Sequence, residues 1–152
     1  MEEEKQRKIV SRGIPSKECF WFPAIEKWKE IDKKWELIDI VQHIYPKEYQ
    51  KQYNEITFKF LSFLLENPFG IDGGKVSEWI KHNNISKATF YNVIIPHLVD
   101  IGIIKRRRMY GEGGRKTIIT TSEIFSNFLR KIADSWTDVL NERKKEGETK
   151  NE

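Results

Sequence analysis

Residues 86–96 read SKATFYNVIIP, and the fold turns on what this stretch is. Ser86 offers an N-cap hydroxyl, Phe90, Ile94, Leu98 and Ile101 recur every three or four residues, and Gly102 stands where a helix terminator belongs, so the spacing predicts a helix from 86 to 102. With Phe90, Ile94 and Leu98 turned inward, Lys87, Ala88, Tyr91 and Asn92 fall on or near its free face, with Thr89 at the edge. Pro96 breaks the pattern, because it supplies no N–H and its ring crowds the carbonyl of Asn92; a kink or a bulged turn is the expected accommodation. Val93, Ile95 and Val99 add apolar surface that cannot share one core with Phe90, Ile94 and Leu98, so this helix is expected to be covered on more than one side.

The flanks give the context. Upstream, a GIDGG loop leads into KVSEWIKHNN, a short helix with Val76, Trp79 and Ile80 as its inward face. Downstream, IIKRRRMYGEGGRKTIITT alternates apolar and basic residues, passes a Gly-rich turn and leaves through β-branched residues, which predicts a β-hairpin. Residues 105–116 hold six bases and one acid, a local charge of +5 that leaves −1 for the rest of a chain whose net charge is +4. Charge concentrated in this way acts on a polyanion as a patch rather than a diffuse field. Arg106 and Arg108 share one strand face with Ile104, and Lys105 and Arg107 share the other with Ile103, so apolar parity leaves the orientation open.

Further out, PAIEKWKEIDKKWELIDIVQHIY sets Trp28, Ile31, Trp35, Ile38 and Tyr45 at helical spacing from Pro23 to a stop at Pro46. A second helix is expected over roughly 47–66, ended by NPFG. Ser122 caps a last long helix striped by Phe125, Phe128, Leu129, Ile132, Trp136, Val139 and Leu140. The expected organisation is an arm over 1–15, a helical extension over 16–46, a central domain over 47–121, a terminal helix over 122–146 and a frayed tail over 147–152.

Order and motif together resemble the winged helix-turn-helix superfamily, in particular small archaeal and bacterial transcription regulators of the PadR and MarR kind. The match lies in residues 50–121, where SEWIKHNNISKATFYN is followed by LVDIGIIKRRR. The resemblance implies a mainly α fold with a small β-hairpin wing (α+β) and long terminal helices. In the family pattern the turn between paired helices needs a left-handed residue, and Asn84 holds the place usually given to Gly. It also implies sequence-specific binding of double-stranded DNA through Ser86, Lys87, Ala88, Thr89, Tyr91 and Asn92 in the major groove. Arg106, Arg107, Arg108, Tyr110, Arg115 and Lys116 would hold the backbone or minor groove. Terminal helices make the dimer in such regulators, which points to Trp28, Trp35, Phe128, Ile132, Trp136 and Val139 as a homodimer interface. The chain departs from the pattern in two respects: Ser86 to Gly102 is one residue longer than usual with Pro96 inside it, and Val93, Ile95 and Val99 are an apolar excess.

Other chemistries find little support. His43, His82 and His97 are scattered, the single Cys19 beside Phe20 and Trp21 reads as core filler, and GEGGRK lacks the Lys-Ser/Thr of a nucleotide-binding loop. The reading is therefore not an enzyme, with no cofactor, metal or small-molecule ligand inferred. No apolar run approaches the roughly 20 residues of a membrane span, and the charged N-terminus carries no signal-peptide segment, so a cytoplasmic protein with no membrane partner is expected. The competing reading is a winged helix used as a protein-interaction module, or a plasmid or viral replication or partition factor.

Overall fold

The computed structural model describes Phe20, residues 34–111 and residues 113–150. Its elements run α1 (Leu37–Ile44), α2 (Lys47–Leu65), β1 (Ile71–Asp72), α3 (Gly73–His82), α4 (Lys87–Thr89), a π-helical segment (Phe90–Ile94), α5 (Ile95–Asp100), β2 (Ile104–Gly111), β3 (Gly114–Thr121) and α6 (Ile124–Lys150). The described residues are thus mainly helical, with a three-stranded antiparallel sheet in the order β1-β3-β2.

Phe60 of α2 is the point on which the core converges. Its ring lies edge-on to Phe90 at 4.9 Å and to Trp79 at 5.5 Å, while Phe63 stacks on the same Trp79 at 5.7 Å. Aromatic rings favour these edge and offset arrangements, so α2, α3 and the π segment are joined by geometry as well as by burial. Around them Val41, Ile44, Leu61, Leu64, Ile71, Val76, Ile94, Leu98, Ile104 and Ile119 are buried.

The helical stripe expected from Pro23 to Tyr45 is corrected at its near end. Residues 23–33, Trp28 among them, lie outside the described residues. Trp35 precedes the helix, which starts at Leu37 after Glu36 donates its backbone N–H to the Asp39 carboxylate at 2.8 Å. Acidic residues in a first turn take up the free N–H groups there, and this fixes the helix start. Tyr45 leaves the helix in an extended conformation and Pro46 opens α2. Asn54, buried, donates to the Tyr45 carbonyl at 2.7 Å and so ties the two helices at their junction. Within α2 the backbone breaks at Gln50 (φ −141°, ψ 53°) before the long run begins.

Two further differences concern boundaries. The GIDGG loop holds β1, whose Ile71 pairs with Ile119, and α3 starts two residues early at Gly73 because the Asp72 carboxylate accepts from the Lys75 N–H at 2.9 Å. At the far end α6 continues to Lys150, through most of the stretch read as a frayed tail, with Thr149 donating its hydroxyl to the Lys145 carbonyl at 2.8 Å. Residues 151 and 152 lie outside the described residues.

Candidate nucleic-acid interface

The turn after α3 is built on Asn84, whose φ of 53° makes it the one non-glycine in the left-handed region among the described residues. An Asn side chain tolerates this conformation better than most. Ile85 then donates to the Ile80 carbonyl at 3.1 Å and closes the turn, and the Ser86 hydroxyl accepts from the Thr89 N–H at 3.3 Å. These bonds aim the segment from 87 to 100 at a fixed angle to α3.

Its middle is a π-helix rather than an α-helix. Ile95 donates its N–H to the carbonyl of Phe90, five residues back. A π-turn houses one extra residue inside an α-helix, and here it does so immediately before Pro96, the residue that no regular α-helix interior accommodates. The surplus residue and the misplaced proline in the sequence are therefore one feature. Phe90, Ile94, Ile95, His97 and Leu98 are buried, which requires cover on more than one side. The second cover is the end of α1: Tyr45 meets His97 edge-on at 4.8 Å.

Facing away from that core, Ser86, Lys87, Ala88 and Asn92 are exposed, while Thr89 and Tyr91 are half-buried. The Tyr91 ring lies edge-on to Phe90 at 5.1 Å, so much of it belongs to the packing. The outward set thus starts at the capped turn and continues through Ala88 and Asn92 at a spacing of four. A cleft of about 750 Å³ beside it is lined by Ser77, Ile80, Lys81, Asn84, Ile85, Ser86 and Lys87. The sequence alone does not mark Ser77 and Lys81 as neighbours of this edge; both lie on α3, and the turn brings them to the same cleft as Lys87.

The hairpin resolves the parity question. Ile104 is buried and Arg106 stands directly opposite the buried Ile119, so Ile104, Arg106, Arg108 and Tyr110 share the face that begins in the core. Lys105, Arg107 and Met109 take the other face, together with Lys116 and Ile118 across the ladder. Beyond Lys105 every described side chain up to Thr117 is exposed, with Tyr110 78% accessible. Among the described residues none of the six hairpin bases forms an ion pair; the one ion pair present is Arg143 to Glu146 in α6. Lys116 has an acid nearby: the Asp72 carboxyl is held below the usual carboxylate range, chiefly by the Lys75 N–H, with Lys116 among the positive charges that assist.

α6 begins against Gly102, whose φ of +82° turns the chain and whose carbonyl accepts from the Phe125 N–H at 3.1 Å. From there Phe128, Ile132, Trp136 and Val139 are exposed, so the stripe is not an intramolecular core among the described residues. Trp35 is 40% exposed and stacks on His43 at 4.8 Å. Among the described residues no helix is long and apolar enough to cross a membrane, and no group of three or more His, Cys, Asp or Glu side chains is placed to hold a metal ion. No family model matches the chain, and neither curated proteins nor solved structures give a match.

Proposed function

We propose that this chain is a sequence-specific double-stranded DNA-binding protein of the winged helix-turn-helix kind, acting in the cytoplasm as a homodimeric transcription regulator. The observation that carries the reading is the presence in one fold of two exposed surfaces with complementary chemistry for DNA. One is the exposed edge of Ser86, Lys87, Ala88 and Asn92 on a helix locked to α3; the other is a hairpin whose bases have no ion-pair partner among the described residues. The first has donor and acceptor chemistry suited to base edges, since Asn matches adenine and Lys reaches guanine or phosphate. The second is suited to the backbone, where charge rather than fit sets affinity. Binding is by the exposed helix in the major groove, with Arg107, Arg108, Tyr110, Arg115 and Lys116 clamping the flanking strand or minor groove. The unpartnered stripe of α6 supplies the dimer.

Duplex binding followed through a salt titration tests the charge part: affinity should fall steeply and linearly on a log–log plot. Salt-independent binding, or none at low salt, removes the proposal. Selection from random duplexes tests the reading part. A palindromic consensus fits a dimeric regulator, whereas absence of enrichment favours the protein-interaction use of the fold.

A further inference from the structure

The α6 stripe has an order of its own. Its large apolar residues are arranged symmetrically about Ile132: Ile124 and Leu140 lie eight residues either side, Phe125 and Val139 seven, Phe128 and Trp136 four. Phe128 is 64% exposed, Trp136 62% and Ile132 48%, so the centre of this pattern faces no other part of the described chain. Beyond Leu140 the helix goes on to Lys150 with no large apolar residue, and the seam continues as Arg143 and Glu146.

We infer that α6 pairs antiparallel with the α6 of a second copy, with the molecular two-fold passing close to Ile132. This rests on the dimer part of the reading above and adds the direction and centre of the interface. A two-fold between antiparallel helices brings residue 132 + n level with residue 132 − n of the partner, so a pattern symmetric about one residue is what such an axis demands. Phe125 then lies level with Val139, Phe128 with Trp136 and Ile124 with Leu140, and every large apolar residue but Leu129 finds another at its height. Leu129 comes level with Ser135, a small residue that lets the helices close.

Charge selects the same direction. Arg130 precedes the centre by two residues and Asp134 follows it by two, so antiparallel alignment sets this base level with this acid, whereas parallel alignment sets each level with its own copy. A parallel pair would also bring Arg143 against its own copy and Glu146 against its own copy across the seam. In the antiparallel pair both lie past the partner's Ile124, with no partner helix opposite them. The apolar contact from Ile124 to Leu140 is about 25 Å long at the α-helical rise.

The test uses the full chain with Cys19→Ser, so that introduced thiols are the only ones. Light scattering is done first: a monomer overturns the dimer reading itself, and leaves duplex binding to be judged on its own assay. In a dimer, Ile132→Cys should link to itself through a short bifunctional thiol reagent, shifting most of the protein to twice the chain mass. Val139→Cys alone should not, because antiparallel helices hold its two copies about 21 Å apart along the axis. Co-expressed Phe128→Cys and Trp136→Cys chains, at two exposed positions that the axis brings level, should link to one another. Self-linkage of Val139→Cys would show a parallel pair and overturn the proposal while sparing the dimer. Circular dichroism confirms that each variant keeps its helix, so absence of linkage in a folded Ile132→Cys dimer also counts against it.

Discussion

Ile95 bonds to Phe90 across five residues, and Pro96 follows at once. The wider turn moves the preceding carbonyls away from the pyrrolidine ring, so the helix continues through a residue that in an α-helix interior costs about 3 kcal/mol. Pro96→Ala supplies an N–H and removes the clash. The expected result is an unfolding free energy changed by no more than about 1 kcal/mol, with an altered base preference, because a turn relaxing toward α geometry rotates Asn92 relative to Phe90. A large loss of stability would show instead that the ring itself is an essential part of the packing.

The turn at Asn84 gives a cleaner stability test. An alanine there has no local side-chain hydrogen bond to favour its φ of 53°, so Asn84→Ala should cost about 1 kcal/mol in urea unfolding. Asn84→Gly should be neutral or stabilising. If both substitutions act alike, the conformation at this position does not limit stability.

Tyr45 is fully buried and its hydroxyl has no hydrogen-bond partner among the described residues. Burial pushes its ionisation well above the usual tyrosine range, with Tyr53 adding to the shift. With its folded-state pKa raised, the phenol leaves stability independent of pH below the unfolded value of about 10 and lowers it progressively as pH climbs past that value, where the unfolded phenol ionises and the buried one does not. Independently of that pH dependence, Tyr45→Phe should raise stability at neutral pH by about 1 kcal/mol, since the buried hydroxyl without a partner among the described residues is removed. It should also flatten the decline in melting temperature above pH 10. A destabilised Phe variant would mean that the hydroxyl is bonded in solution.

The helix and the hairpin are expected to divide the work on DNA. Asn92→Ala should relax preference at one base position by about 1–3 kcal/mol, while Arg108→Ala should weaken every duplex alike and lower the salt slope by about one. Competition binding across a selected consensus and scrambled duplexes distinguishes the two. Identical profiles would defeat the division of roles.

Much of this architecture is legible in the chain because local chemistry and tertiary packing agree. Ser86, Gly102 and Ser122 act at the element ends where their chemistry belongs, and β-branched residues after GEGG form the return strand. Where the reading strays, a non-local partner decides. Ile71–Asp72 is too short to have a period of its own and becomes a strand only because β3 lies beside it. Trp35 fits a helical spacing, yet the Glu36–Asp39 bond starts the helix after it. The face of Arg106 was undetermined because Ile103 and Ile104 offer the core equal claims, and only the burial of Ile104 chooses. Lys81 and Ser77 join the candidate site through the turn, a relation that one-dimensional spacing does not carry.

The hairpin changes character along a single strand face. Ile104 sits in the core, Arg106 stands across from the buried Ile119, and Arg108 and Tyr110 stand in solvent. Its root is held by the fold and, among the described residues, its tip by the ladder with β3. The outer half, from Arg107 to Lys116, is consequently an exchangeable cassette: sequences with a different charge or aromatic content can be grafted between Arg106 and Thr117 without touching a buried residue. The charge of the tip is thereby free to drift or be engineered on this scaffold while the stability of the domain stays where Phe60, Trp79 and Phe90 set it.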